Sequence, residues 1–404
     1  MAAQEGKVGM TLKGKRELVG VTTVRYARAG RREKTRILDE FAANTGYSRK
    51  YAIAVLRKPP PVTAPKRRRK RQRTYPSSLT AVLVLAWRNC GSICSRRFQP
   101  FLPEMVRQLE AFGHVHVSNE ERALLARMST STIDRLLRPF RDAARPRGIS
   151  TTRPGPGLRR FIPICTFAER TPTRPGTLEI DLVAHCGERT IGDYVVTLNT
   201  VDLATFWSEC IVPANRGQHA VLDAIRRVRE RLPFPLRAID SDNDGSFIND
   251  ILLRYCRQEK IGFTRSRPYK KNDQAHVEER NRYIVRQLVG YDRYETAAVP
   301  DLNRLWEQYR LFTNFYQPVM KLTRKTRIDG HLKKEYDEAK TPYHRVLASP
   351  EVTDERKAKL TAIYASLDPV ALRLQIDKLQ RHVWQNCRVR SLAEATTPAK
   401  HDNS

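Results

Sequence analysis

Between Gly176 and Leu288 the apolar pattern changes period in a fixed order, and that order leaves few folds open. Residues 178–184, 193–199 and 206–212 read as strands joined by tight turns, which predicts a meander of hairpins. Residues 218–232 then set Val221, Ile225 and Val228 on one helical face, and 235–240 form a short apolar strand. Residues 247–259 set Ile251, Leu252 and Tyr255 for one face, 261–265 form a fifth strand, and 275–288 close with a helix. Three hairpin strands followed by alternating helices and strands describe a mixed α/β sheet with helices on its faces.

Upstream the chain is helical. Residues 31–43 carry Ile37 and Phe41 four apart, Thr45-Gly46 ends that helix, and Ser48 can cap a second helix over 49–57. This is helix-turn-helix spacing, with Arg49 and Lys50 where a recognition helix meets base edges, although an ordinary αα-hairpin has the same pattern. Prolines break the chain over 59–65. Then Lys66, Arg67, Arg68, Arg69, Lys70 and Arg71 open a run with seven Lys/Arg in eight residues. Such a run repels itself and suits an extended arm that tracks phosphates; a solvated linker is the plainer reading. In 77–140, residues 102–112 are amphipathic, Ser118 and Glu121 form a capping box, and Ser129 caps a stripe of Ile133, Leu136 and Leu137, giving a second helix-turn-helix candidate. The chain thus divides into 1–60 (helix-turn-helix), 61–76 (basic linker), 77–145 (second helical DNA-binding domain), 146–173 (Pro/Gly-rich linker), 174–325 (α/β core) and 326–404 (helical C-terminal region).

Charge narrows the partner. With 74 Lys+Arg against 43 Asp+Glu the formal charge is +31, which points to a polyanion, nucleic acid first. The longest apolar stretch, near 79–87, is too short for a membrane span, and residues 1–13 carry no apolar signal-peptide core. Seven scattered cysteines do not make a disulfide framework and fit a reducing cytoplasm. Cys90, Cys94, His114 and His116 invite a zinc reading, but two His one residue apart are unusual for a structural site.

Three acids carry the chemistry. Asp181 sits inside an apolar strand (TLEIDLVAH), Asp242 follows the fourth strand (AIDSDNDGSF), and Glu278 lies on a helix (NDQAHVEERN). If the first and fourth strands are neighbours, these carboxylates converge and repel unless cations neutralise them. Oxygen ligands favour Mg²⁺ or Mn²⁺, and two such ions about 4 Å apart suit in-line displacement at phosphorus. Asp240, Asp244 and Glu279 stand close enough in sequence to compete for these roles.

With 35 residues between Asp242 and Glu278 and 60 between Asp181 and Asp242, the segment from about 176 to 325 resembles the integrase-core (DDE) transposases of the retroviral integrase superfamily, bacterial insertion-sequence type. Ser241–Phe247 matches that family's second-acid motif with one Asp intercalated, and Ser266–Asp273 matches its loop before the catalytic helix. The resemblance implies a ribonuclease-H-like core, catalytic and metal-binding Asp181, Asp242 and Glu278, and two Mg²⁺ (or Mn²⁺) per site. It also implies a homo-oligomer on double-stranded DNA, holding inverted-repeat ends and a target, with no membrane and a cytoplasmic, nucleoid-associated place. Lys270 and Lys271 in that loop join the DNA-binding candidates. Many relatives place a basic residue two turns past the Glu; here 285 is Val, so Arg282 and Arg286 are the expected substitutes. The competing expectations are a catalytically silent DNA-binding regulator and a ribonuclease-H-like nuclease.

Overall fold

The structure is a computed structural model that describes residues 10–58, 75–141, 174–266, 275–328 and 331–396. Contacts divide the chain into two units, Met1–Thr74 and Tyr75–Ser404.

The first unit holds α1 (Leu12–Arg28), α2 (Arg31–Thr45) and α3 (Arg49–Arg57). Gly46 takes the left-handed conformation (φ 68°) and its N–H reaches the Ala42 carbonyl, ending α2; the Ser48 hydroxyl then accepts from Tyr51 N–H and starts α3. The α2–α3 pair falls where the sequence places it. Helix α1 was not expected: of its seventeen residues only Val19 and Tyr26 are buried, so no apolar stripe announces it. Those two side chains close a small core with Ile37, Leu38, Phe41, Ala52 and Leu56.

The second unit begins with α4 (Ser77–Asn89), α5 (Ser95–Ala111), α6 (Asn119–Ala126) and α7 (Thr130–Leu137). The Ser118/Glu121 capping box is formed, and Ser129 caps α7. Helix α5 starts seven residues before its expected origin because it carries Pro100 and Pro103 internally, residues that read as breakers in a sequence. Its Phe98 and Leu102 share one continuous apolar core with Leu178 and Ile180 of the sheet, so residues 77–145, expected as a domain of their own, are not separated from the sheet by packing.

The sheet contains β1 (Thr177–Ala184), β2 (Val196–Asp202), β3 (Ser208–Ile211), β4 (Ala238–Ser241) and β5 (Gly262–Arg265), in the order β3-β2-β1-β4-β5. β1–β2 and β2–β3 are antiparallel, and β1–β4 and β4–β5 are parallel. The meander and the adjacency of the first and fourth strands are as expected. β2 lies three residues later than expected, since Thr197, Asn199, Thr200 and Asp202 are all buried and polar residues hide a buried strand from a hydropathy reading. Phe206, at φ 64°, belongs to the turn into β3 rather than to the strand. Helices α8 (Gln218–Arg231) and α9 (Asp250–Gln258) pack against β3 and β5. Helix α12 (Val299–Tyr316) also packs on β3, where the Arg310 guanidinium pairs bidentately with the buried Glu209 carboxylate.

α10 (Ala275–Arg280) continues through a π-helical turn, Asn281–Arg286, into α11 (Gln287–Val289). The C-terminal region is mostly helical, with α13 (Pro342–Ala348), α14 (Asp354–Ser366) and α15 (Pro369–Thr396). It opens with an element that the mostly helical sequence reading did not name: β6 (Leu322–Ile328) and β7 (His331–Tyr336) form an antiparallel hairpin. The alternation there is Thr/Arg/Lys rather than apolar, so the strand period is carried by charge and escapes an apolar-pattern search. Among the described residues no helix is long and apolar enough to cross a membrane.

All four tryptophans (Trp87, Trp207, Trp306, Trp384) lie in the second unit, so their fluorescence reports that unit alone. Phe41→Ala removes the largest fully buried side chain of the small first core and should cost that unit about 3–5 kcal/mol. Helical circular dichroism should then be lost in an early transition while the tryptophan midpoint stays in place. A single shifted transition seen by both probes would refute independent units.

Candidate active site

Strand β1 alternates its faces, so Glu179 and Asp181 point the same way. In the parallel ladder Glu179 lies beside Asp240 and Ile180 beside Ser241, so Asp242 leaves β4 next to the position of Asp181. Two pairs of acids thus sit one above the other on adjacent strands. The lower pair is fully buried, with Glu179 and Asp240 at 0% and 1% exposure. Thr264 of β5 donates to Asp240 at 2.6 Å.

The upper pair lies at the carboxyl end of the parallel strands, where the chain turns. Asp242 Oδ1 accepts the Asp244 N–H at 2.9 Å, and Asp244 Oδ1 accepts the Ser246 N–H at 2.9 Å. Asn243 clamps this loop to the end of β5, donating to the Ser266 carbonyl at 3.0 Å and accepting from Arg265 at 3.1 Å. Asp242 therefore does form the side-chain turn that its sequence allows, one residue after the last ladder pair, Ile180–Ser241.

The helix of Glu278 is docked on β1 by its flanking residues. The buried Glu179 carboxylate accepts the Val277 N–H at 3.0 Å, which also satisfies an otherwise unpaired amide in the helix's first turn. One turn on, the Asn281 amide donates to Asp181 Oδ2, and Asn281 Oδ1 accepts from Asn199 at 2.8 Å. Asn199 is the direct cross-strand partner of Asp181. Glu278, three residues before Asn281, shares its face of the helix. Glu279 points elsewhere, its charge acting on the buried guanidinium groups of Arg97 and Arg280.

Burial pushes the Asp181 carboxyl above its ordinary value, and the nearby Asp244 charge adds to this; Asn281, Leu182 N–H and Arg286 act in the opposite direction. The hydrogen bonds to Asp181 come from neutral amides, so its ionised form is held but not neutralised by them. Carboxylate oxygens at this edge are hard donors that fit Mg²⁺ or Mn²⁺ in kind. Among the described residues no three His, Cys, Asp or Glu side chains stand close enough together to hold an ion.

Of the DNA-binding candidates, Arg49 and Lys50 are exposed at the start of α3, with Arg49 paired to Asp39. Arg282 is exposed, over the Tyr283 ring. Arg286 is turned inward: it donates to the Ala184 carbonyl at 2.9 Å and lies over the Tyr291 ring. Val285, at the position where a basic residue was sought, is fully buried because the π turn rotates it inward. Lys66–Arg71 and Lys270–Lys271 lie outside the described residues. Cys90 is buried, and His114 is bonded to Asp368 at 2.8 Å. His185 bonds to Thr197 at 2.7 Å, and burial pushes its pKa down to about 3.

Glu179, Asn199 and Asn281 were missed by the sequence reading. Two of them had a signal: Glu179 is two residues before Asp181 in a strand, and Asn281 one turn after Glu278.

Strand order, ladder directions and flanking helices together define a ribonuclease-H-like α/β core. No family model matches the chain. It is 40% identical over 332 residues, 81% of its own length and 94% of the relative's, to "Uncharacterized protein y4rM" of Sinorhizobium fredii, and it belongs to the same family as that protein. Among solved structures, the catalytic core domain of BIV integrase is similar at 17% identity and a TM-score of 0.28, covering 42% of this chain and 91% of that one. The HTLV-2 integrase catalytic core domain in complex with magnesium is similar at 12% identity and a TM-score of 0.27, covering 36% and 90%.

Two outcomes are expected. Because the folded pKa of Asp181 lies above the unfolded 3.8, the stability present below about pH 4 is lost as pH rises through that value toward the folded one. Asp181→Asn should therefore raise the melting temperature at pH 7 in chelator and leave it unchanged at pH 3, and added Mg²⁺ should stabilise only the wild type. An equal effect at both pH values would show that the carboxylate is not strained by burial. Glu179→Ala orphans the Val277 N–H and should cost about 1–3 kcal/mol in denaturant titration. Glu179→Gln, which keeps an acceptor, should cost clearly less; equal losses would mean that this hydrogen bond does not hold the helix.

Proposed function

We propose that the chain is a DNA transposase of the bacterial insertion-sequence type, with Asp181, Asp242 and Glu278 as its catalytic carboxylates. The observation that carries this reading is the convergence of three elements on one strand: Asp181 on β1, Asp242 leaving β4 beside it, and the Glu278 helix tied to Glu179 and Asp181. Metal-dependent phosphoryl transfer would give Asp181 its reason to sit in an apolar strand, with the buried Glu179 holding the helix of Glu278 beside it.

The three carboxylates would hold Mg²⁺ or Mn²⁺, two ions per site. When bound, these would lower the pKa of an attacking water and stabilise charge on the phosphate oxygens. Asn281 keeps the Asp181 carboxylate in one orientation, and Asn199 orients Asn281 in turn. In the first step a water oxygen attacks phosphorus at the element's end. The bond to the element's 3′ oxygen breaks, and the 3′-OH is freed. That hydroxyl then attacks a target phosphodiester, forming a new P–O bond and releasing a target 3′-OH. The helical regions before the core, with Arg49 and Lys50 on α3, the basic 66–71 run, Lys270, Lys271 and Arg282, are the DNA contacts of this reading. Arg286 serves the fold around Asp181 instead. A homo-oligomer would bring two ends together, in the bacterial cytoplasm at the nucleoid.

The test is an oligonucleotide strand-transfer assay with Mg²⁺ or Mn²⁺, using DNA from the flanks of the gene. Wild type should give joined products; Asp181→Asn, Asp242→Asn and Glu278→Gln should each lose them, by about 10³-fold, while retaining DNA binding. Cleavage without joining would make the protein a nuclease. Binding without any metal-dependent chemistry would make it a regulator.

A further inference from the structure

The β6–β7 hairpin is built unlike the rest of the protein. None of its described side chains enters an apolar cluster, and both faces are largely exposed. Arg324, Lys325 and Arg327 on β6 and Lys333 and Lys334 on β7 are all exposed, against a single acid, Glu335, on the two strands. The register sets Lys325 directly opposite Lys334. Like charges facing across a ladder destabilise it, and a two-stranded ribbon is marginal by itself in water. Edge lysines do protect exposed strands from pairing with other chains, but that needs no cation facing another cation.

The root of the hairpin is firm by contrast. Val319 and Lys340 exchange backbone hydrogen bonds at 2.9 and 3.1 Å. Asp337 accepts the Lys321 N–H and a bidentate pair from Arg345 at 2.7 and 3.1 Å, and Arg345 also donates to the Val319 carbonyl. A fixed base therefore carries a bare, cation-rich blade that, among the described residues, no neighbour neutralises beyond the Lys333–Glu335 pair. Each strand is about 20–24 Å long at about 3.4 Å per residue. A two-stranded ribbon of this kind fits a major groove about 12 Å wide, with phosphates along both walls.

We infer that the β6–β7 ribbon is a duplex-DNA-binding arm whose cations contact backbone phosphates. This deepens the transposase reading by naming a contact outside both helical regions, and it rests on that reading for its partner.

The test is equilibrium binding of the full chain to a fluorescent 30-base-pair duplex of arbitrary sequence, in chelator, across a salt series. Lys325→Thr/Lys334→Thr removes the facing charges while keeping good strand formers, so the ribbon should become no less stable by thermal melting. Its plot of log affinity against log salt should be shallower than wild type by about two units, near 0.9 for each phosphate that is no longer neutralised. Lys325→Arg/Lys334→Arg should keep the wild-type slope. Arg254→Ala/Arg257→Ala removes the same charge from the exposed face of α9 and should change the slope little. The inference is overturned if the Thr pair keeps the wild-type slope, or if the α9 pair lowers it equally. It is also overturned if wild type binds vesicles of equal phosphatidylcholine and phosphatidylglycerol but no duplex. Binding is read in chelator and joining in the separate assay with Mg²⁺ or Mn²⁺, so a protein that shows the slope change yet joins no DNA when metal is supplied would sink the transposase reading and leave the arm standing.

Discussion

The site depends on one buried carboxylate. Glu179 lies inside the sheet at 0% exposure, where an unpaired charge would be costly, and it meets the first turn of α10 through the Val277 N–H. The positive end of that helix and the carboxylate suit each other, so a residue that looks like a liability in a strand becomes the fixed point for the helix. The rest of the edge is arranged around it. With Val277 pinned, Asn281 comes round one turn later to Asp181, and Asn199 fixes Asn281 from the neighbouring strand. The docking thus runs through a backbone amide and a neutral side chain. Glu278 lies between these two anchoring positions.

Much of this was legible in the sequence, for definite reasons. The sheet was readable because its hairpin strands and crossover helices differ in period, and the acids because a carboxylate in an apolar strand is out of place. The places where the reading failed share a cause: polar or charged residues taking the positions of apolar ones. β2 was displaced because Thr197, Asn199, Thr200 and Asp202 are buried and find their hydrogen-bond partners off the strand, in His185, Asn281, the Glu209 carbonyl and Thr205 respectively. β6 and β7 were missed because their alternation is written in Arg and Lys, although Asp329-Gly330 between them is a strong hairpin signal. Helix α1 was missed because two buried residues in seventeen are too few to set a period.

The helix after Glu278 shows a limit of another kind. A regular α-helix would bring position 285 back near the face of Glu278, which is why a basic residue was sought there. The π turn over Asn281–Arg286 adds a residue to that turn and rotates the rest of the helix. Ile284 and Val285 fall into the core, and Arg286 reaches back to the Ala184 carbonyl at the end of β1. Its charge then offsets part of the cost of burying Asp181. A residue that the sequence offered as a DNA contact thus takes part in supporting the acid.

Electrostatics on the two scales oppose each other. The chain as a whole carries a formal +31, which attracts a polyanion, yet the carboxyl edge of β1 and β4 gathers Asp181, Asp242 and Asp244. An acidic patch repels phosphate unless something positive stands between. Surface lysines cannot fill that gap, because their charge is screened over roughly 8–10 Å at ordinary salt. The cations that recruit a polyanion and the cations that let it approach these acids must therefore be different ones. Arginine and lysine can supply the first at long range. On the proposed reading the second would be metal ions among the carboxylates themselves, and that is the step for which the reading calls on a metal.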